Sequence, residues 1–308
     1  MSEHAWNRMT AQALQKRAGQ GATVLLPIGS TEQHGPHLPT GTDDFLAAET
    51  CARVAALLEP EHPVVITPAV WCGLAEHHMA FGGTFTLSLA TLHTLLRDLC
   101  TSILRCGFRH ILIVNGHGGN IPGLTAITTE LTRELGTPIG CTTYVLAAPE
   151  TTRHTLQHQD TVMHACEAET SMIMAVAPDL VHHDQLPDAH GPALRLTTEL
   201  TGLIYTSRSF AELTPSGVAG DARTASAAKG EALLTAYAHG IAHDLLHNQP
   251  WAAAAPAPAP SHRQPPTTPL HDPTAPLHPT APPREVAEAP QPPEEHATRH
   301  SAAQPGQA

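Results

Sequence analysis

The 308-residue sequence predicts an α/β domain whose mostly parallel central sheet is flanked by helices. Three observations carry this. Apolar runs of strand length alternate with stretches whose apolar residues recur at helical spacing, the pattern of successive βαβ units. The clearest run, residues 109–114 (Arg-His-Ile-Leu-Ile-Val), is apolar on successive positions, as a strand covered on both faces must be. Beyond residue 248 the composition changes. More than half of the 29 prolines lie there, among Ala, Thr, His and Gln, with too few apolar side chains to offset chain entropy. The chain therefore divides into a single domain over residues 1–248 and a disordered Pro/Ala-rich tail over 249–308.

Taken in order, residues 22–28 form an apolar, β-branched strand. It runs into a loop, 29–44, pinned by Gly29, Gly35, Pro36, Pro39 and Gly41. Residues 44–58 place Phe45, Leu46, Ala48, Val54, Leu57 and Leu58 at helical spacing, with Asp43 or Asp44 as N-cap. Val64-Val65-Ile66 is a short buried strand. Residues 71–86, with Gly73, Gly82 and Gly83, make a loop of a length that is usually functional. An amphipathic helix over 89–106 is closed by Gly107. The 109–114 strand ends in Asn115-Gly116-His117-Gly118-Gly119-Asn120, and a helix over 121–135 follows at once. Residues 140–146 read as a strand, 170–177 as part of a helix, 203–207 as an edge strand and 221–247 as a closing helix. Ligands of such sheets bind beyond the carboxyl ends of the strands, where the two polar loops fall.

Composition excludes some functions. A formal charge of −12 with no basic run argues against nucleic acid as a partner. No apolar stretch reaches the ~18 residues of a membrane span, and residues 1–17 lack the basic and apolar regions of a signal peptide. A cytoplasmic setting without membrane contact is expected. Cys51, Cys72, Cys100, Cys106, Cys141 and Cys166 show neither C-x-x-C pairs nor framework spacing and read as free thiols.

The chemistry concentrates in three segments. The first loop offers Glu32, His34 and Asp43, the second His117, and His164-Ala165-Cys166-Glu167-Ala168-Glu169-Thr170-Ser171 offers His164, Glu167 and Glu169. Gly and Pro fix an irregular path that lets neighbouring side chains converge. Carboxylate with imidazole suits zinc, manganese or iron better than calcium or magnesium. On a helix, residues 164 and 167 share a face and 167 and 169 do not, so Glu167 is expected to face the site with His164, leaving Glu169 behind it.

These motifs resemble the creatininase (creatinine amidohydrolase) family over most of residues 20–245. The resemblance rests on Gly-Ser-Thr-Glu-Gln-His-Gly-Pro-His-Leu-Pro with its following Thr-Asp, on Asn-Gly-His-Gly-Gly-Asn, on the Glu-x-Glu-Thr-Ser box, and on Gly217-Val218-Ala219-Gly220-Asp221 with Ala225 and Gly230. It implies a metal-dependent amidohydrolase with two divalent ions per chain, zinc first, manganese or iron as alternatives. Glu32, Asp43 and His117 would hold one ion; His34, the bridging Asp43 and a further glutamate would hold the other. In creatininase that glutamate stands where this chain has Gly119, and Glu167 is taken as its replacement. His164 matches the catalytic histidine. His78 matches a pocket histidine, and Cys166 replaces the glycine of the family's His-Ala-Gly-Glu box.

Structural roles are expected for Asp44 as a cap, for His37 and His77 beside the ligands, for Cys166 as a core thiol and for Ser30, which lacks a nucleophile elbow. The implied reaction opens a cyclic amide or another non-peptide C–N bond. Creatinine itself does not fit, because residues 144–163 contain no Trp to close over it. The family also implies alternatives, a peptidase of mycofactocin maturation or a deformylase, the latter needing a clamp from Arg153, Arg195, Arg208 or Arg223. It further implies a homo-oligomer, such as a hexamer. A non-catalytic scaffold recruiting partners through the Pro-rich tail is the reading from another class.

Overall fold

An uninterrupted apolar run demands cover on both faces, and the run at 109–114 has it. A computed structural model describes residues 3–59, 61–194, 206–248 and 250–251. In chain order it contains α1 (Ala11–Gly19), β1 (Thr23–Ile28), α2 (Thr42–Leu58), β2 (Val64–Ile66), α3 (Leu89–Arg105), β3 (His110–Asn115), α4 (Ile121–Leu135), β4 (Ile139–Thr143), α5 (Pro149–Thr155), α6 (Glu167–Val176), α7 (Phe210–Leu213) and α8 (Ala227–His247). The sheet is parallel throughout, in the order β2-β1-β3-β4. Ile28 pairs with Asn115 and Asn115 with Thr143. The carboxyl ends of β1, β3 and β4 are therefore level, and the loops that follow them leave from one edge.

Strand side chains alternate between two cores. Leu25, Val64, Leu112 and Val114 pack with Leu46, Val54, Met172, Leu233 and Tyr237 of α2, α6 and α8. Val24, Leu26, Ile28, Ile111 and Ile113 pack on the other face with Leu92, Leu96, Ile103, Leu124 and Leu131 of α3 and α4. Burying each aliphatic side chain contributes about 1.5–3 kcal/mol, so the sheet's two faces dominate the stabilisation of this α/β/α sandwich.

Local signals set most element ends. Ser88 accepts the Thr91 N–H to open α3, and Gly107 closes it in the left-handed region at φ 98°. The expected closing helix starts later than residue 221, because Asp221 is held in an antiparallel bridge with His190 and Ser226 caps α8 by accepting the Lys229 N–H. The strand expected over 140–146 stops at Thr143, and Tyr144–Leu146 turn as 3-10 helix. Asp44 is not a cap. α2 opens at Thr42 behind Gly41, which has no side chain to offer, and both aspartates lie in its first turn. Most of the expected strand over 203–207 lies outside the described residues, as does the tail apart from residues 250–251. Among the described residues no helix is long and apolar enough to cross a membrane.

Candidate metal centre

The level strand ends bring the polar loops together. The chain leaving β1 delivers Glu32 and His34, tied back where the Glu32 N–H donates to the Thr40 carbonyl at 2.9 Å. The first turn of α2 delivers Asp43. The loop after β3 delivers His117 and is cross-braced by its two asparagines. Asn115 Oδ1 accepts from the His117 N–H and from Asn120 Nδ2, both at 3.1 Å. Asn120 also donates to the Gly29 carbonyl at 3.1 Å and accepts from the Leu74 N–H at 2.8 Å. Gly116 is needed for close approach, since a Cβ there would lie 2.6 Å from the Asp43 carbonyl oxygen.

The ligand-type groups are almost wholly buried: Glu32 and Glu167 are 0% exposed, His34 1%, Asp43 2%, His117 3%, His164 4% and Glu169 6%. His34 Nε2 lies 3.2 Å from Asp43 Oδ1. His117 Nδ1 lies 3.2 Å from Glu32 Oε2 and 3.1 Å from Asp43 Oδ2. Each imidazole has its other nitrogen on a backbone carbonyl, His34 Nδ1 on Glu32 O at 3.1 Å and His117 Nε2 on Leu74 O at 3.2 Å. That fixes the rings with their free nitrogens toward the carboxylates, the arrangement that orients metal ligands.

Both Glu32 oxygens, Asp43 Oδ2 and His34 Nε2 are buried with no hydrogen-bond partner among the described residues. Buried ionisable groups do not stay unmatched without cost, and a cation between these atoms would satisfy all of them. Three groups can each converge on one ion: Glu32, Asp43 and His117; His34, Asp43 and Glu169; Glu32, His34 and His164. The first two share Asp43.

The electrostatics express the same demand. Burial opposes the charge on His34, but the Asp43 carboxylate outweighs it and lifts the imidazole to about 9. His117 is likewise raised by Glu32 and Asp43 against its burial. Burial pushes Asp43 up, yet His34 and His117 hold it below the ordinary aspartate range. Burial raises Glu32 in spite of His117, and takes Glu169 up to about 7 in spite of His34. His164, next to His34 and His78, is driven well below the ordinary histidine range by burial and by those rings.

Of the sequence-predicted ligands, Glu32, His34, Asp43 and His117 come together and Glu167 does not. Glu169 stands in the cluster instead. The helical-face reading of residues 164 and 167 fails because His164 is not on the helix. It pairs with Ala219 in an isolated antiparallel bridge, Ala165 adopts φ 51°, and α6 begins only at Glu167 behind the extended Cys166. Residues 167 and 169 do point to opposite sides, but the inward one is Glu169, whose Oε2 accepts the Ala165 N–H. Glu167 is a strut. One oxygen is ion-paired with Lys229 Nζ, and the other accepts the backbone N–H of Gln157 at 2.9 Å and of His158 at 3.4 Å.

His78 Nε2 lies 3.2 Å from Glu32 Oε1, and His164 Nδ1 lies 3.6 Å from the same oxygen. A side chain at Gly119 has no room, since a Cβ would sit 2.4 Å from His117 Nε2 and 2.6 Å from the His77 ring. His77 stacks on His117 with ring centroids 5.6 Å apart. His37 is buried with Nε2 on the Thr170 hydroxyl at 2.7 Å. Cys166 is a buried free thiol pushed up to about 11 by burial, and the Ser30 hydroxyl is buried without a partner among the described residues.

Sequence reasoning missed Phe210, whose ring covers His78 and His164 at centroid distances of 4.6 and 5.0 Å. Its signal is the S-x-x-E pattern of Ser209 and Glu212, a capping box that opens α7.

Comparison with known proteins places the chain among creatininases. The family model for creatininase, described as creatinine amidohydrolase, matches residues 7–245. The mycofactocin precursor peptide peptidase of Mycolicibacterium smegmatis is 34% identical over 74% of this chain and 85% of its own. The creatinine amidohydrolase of Pseudomonas putida is 28% identical over 79% of this chain and 96% of its own. A crystal structure of creatinine amidohydrolase superposes with a TM-score of 0.70 at 24% identity, covering 82% of this chain and all of that one.

Proposed function

The chain belongs to the creatininase family, and from that premise we propose that it is an amidohydrolase using two divalent ions, with its catalytic unit in residues 1–248. The observation that carries this is the pair of ligand triads sharing Asp43 in a buried cluster where both Glu32 oxygens and Asp43 Oδ2 lack hydrogen-bond partners among the described residues. Glu32, Asp43 and His117 would hold one ion, and His34, Asp43 and Glu169 the other. Glu169 thus takes the part expected of Glu167. The oxygen and nitrogen donors favour zinc, with manganese or iron as alternatives.

Bound there, the ions supply a water acidified toward neutral pH and a Lewis acid for the substrate carbonyl. The chain's own groups do the rest. Asp43 fixes the spacing of the two triads, His34 and His117 are held in register by their backbone carbonyls, and Phe210 excludes water above His78 and His164. His164 carries the proton lost by the attacking water to the leaving nitrogen as the C–N bond breaks. The Gly118–Asn120 turn opens α4 beside the site; the Asn120 N–H is donated to the His117 carbonyl, and the Gly118 and Gly119 N–H groups favour developing negative charge.

The leading substrate class is a cyclic amide or another non-peptide C–N bond. A peptide substrate is the second reading, favoured by the 34% identity to a peptidase and by the lack of tryptophan in residues 144–163. A deformylase is less favoured, because Arg153 and Arg223 are occupied by their own neighbours Glu150 and Asp221. A homo-oligomer belongs to the same reading. The free cysteines suit a reducing, cytoplasmic setting.

The test is hydrolysis of parallel panels of lactams, linear amides and short peptides by protein stripped with a chelator and reloaded with zinc or manganese. Turnover that depends on reloading is expected. Full turnover by stripped protein refutes the metal reading, and no turnover of any panel by protein holding two ions refutes the amidohydrolase reading.

A further inference from the structure

Gln33 lies in the loop between two of the proposed ligands yet has no part in the chemistry described so far. Its side chain is buried, 8% exposed, and its amide has one possible orientation. Oε1 accepts the Gly35 N–H at 2.9 Å, and Nε2 donates to the Gly217 carbonyl at 3.1 Å. A flip would set N–H against N–H and oxygen against oxygen. Gly217, which its φ of 73° already favours as glycine, also leaves this amide room, since a Cβ there would lie against Gln33 Oε1.

One amide hydrogen remains, and two ring nitrogens compete for it. His78 Nδ1 is 2.9 Å away and His164 Nε2 is 3.0 Å away. The backbone decides. His164 Nε2 also lies 2.8 Å from the Gln33 carbonyl oxygen, which only accepts, so the His164 hydrogen must sit on Nε2 and the amide hydrogen must go to His78 Nδ1. His78 then carries its own hydrogen on Nε2, aimed at Glu32 Oε1 3.2 Å away. His164 is left with its lone pair on Nδ1, on the side of Glu32 and His34.

We propose that Gln33 is a positioning residue that sets the tautomers of both histidines. Through its side chain it leaves the His78 hydrogen on Nε2, facing Glu32 Oε1, and through its carbonyl it leaves the His164 hydrogen on Nε2 and the lone pair on Nδ1. The Nε2–H of His164 is held by the backbone, so any proton taken from water and passed to a leaving nitrogen travels through Nδ1. This deepens the hydrolase reading and rests on it only for the proton's destination. The tautomers are read without turnover, so the two can fail separately.

The experiment is long-range ¹H–¹⁵N NMR of the zinc-loaded full chain with labelled histidine, in which Nε2–H and Nδ1–H tautomers give distinct patterns. His78→Gln and His164→Gln assign the two rings. Wild type is expected to show Nε2–H at both. Gln33→Glu replaces the amide donor by an acceptor and should turn His78 to Nδ1–H, while Gln33→Met should release His78 to a mixture. In both variants His164 should stay Nε2–H, held by the carbonyl. An Nδ1–H pattern at either ring in wild type, or a His78 pattern unchanged in both variants, overturns the proposal. Should Gln33→Glu not fold, Gln33→Met alone decides.

Discussion

Replacing Glu167 and Glu169 by glutamine, one at a time, separates a strut from a ligand. Glu167→Gln leaves the Lys229 ammonium, 17% exposed at its side chain, without its counter-charge. Removing one partner of a buried pair costs 3–5 kcal/mol. Lys229 keeps some water and the Thr224 carbonyl at 2.8 Å, so the lower end applies, about 3 kcal/mol. At 2–4 °C per kcal/mol for a domain of this size, the melting temperature should fall by about 6–12 °C with both ions retained. Glu169→Gln reduces the triad of His34, Asp43 and Glu169 to two ligands. Plasma mass spectrometry should then find one ion per chain in place of two. The melting temperature of the metal-stripped protein should hold or rise, because a carboxylate that burial lifts to about 7 has gone. Loss of an ion in Glu167→Gln with full occupancy in Glu169→Gln would refute the reasoning.

Asp43→Asn should abolish both ions, since the two triads share that residue, and a metal count above one per chain would separate them. The metal-stripped protein should lose stability as pH rises. Glu169 and His34 both titrate higher folded than unfolded, from 4.5 to about 7 and from 6.5 to about 9, so the folded state binds more protons throughout that range and ∂ΔG/∂pH is negative. His34's contribution is whole below pH 6.5 and is lost through about 9; denaturant melts across that range would show a flat or rising profile if the His34–Asp43 pairing is wrong. Zinc affinity should rise with pH over the same range, by up to tenfold per unit for each proton the ion displaces, and a pH-independent affinity by competition with a chelator would oppose it. Gly116→Ala should destabilise the fold by about 1–3 kcal/mol, because its Cβ would meet the Asp43 backbone at 2.6 Å. An unchanged melting temperature would mean that the approach is looser than this.

The sheet was legible because its information is local and redundant. Residues 23–28 and 110–115 are buried at nearly every position, and nothing but a strand covered on both faces accounts for so continuous a run. α1 went unread for the opposite reason: none of its residues is fully buried, so its pattern is faint. The candidate ligands of the first two loops were legible as residue types that Gly and Pro force to converge. The choice between Glu167 and Glu169 was half legible, and the missing half is instructive. Their opposition on a helix is a local fact, but which one faces the cluster depends on where α6 begins. That is set by the bridge of His164 to Ala219, 55 residues away in sequence, and by the left-handed turn at Ala165. Phe210 and Lys229 reach the site and its strut over similar separations, with no local mark of their destination.

The motif that supplies a single candidate ligand is otherwise frame. In Asn-Gly-His-Gly-Gly-Asn only His117 meets the carboxylates, while Asn115 and Asn120 bind the β3 loop to the end of β1 and to Leu74. Substituting those asparagines strands buried donors and acceptors whose loss costs about 1–3 kcal/mol each. Such variants should therefore lose folding stability together with metal, whereas ligand variants such as Glu169→Gln should lose metal alone.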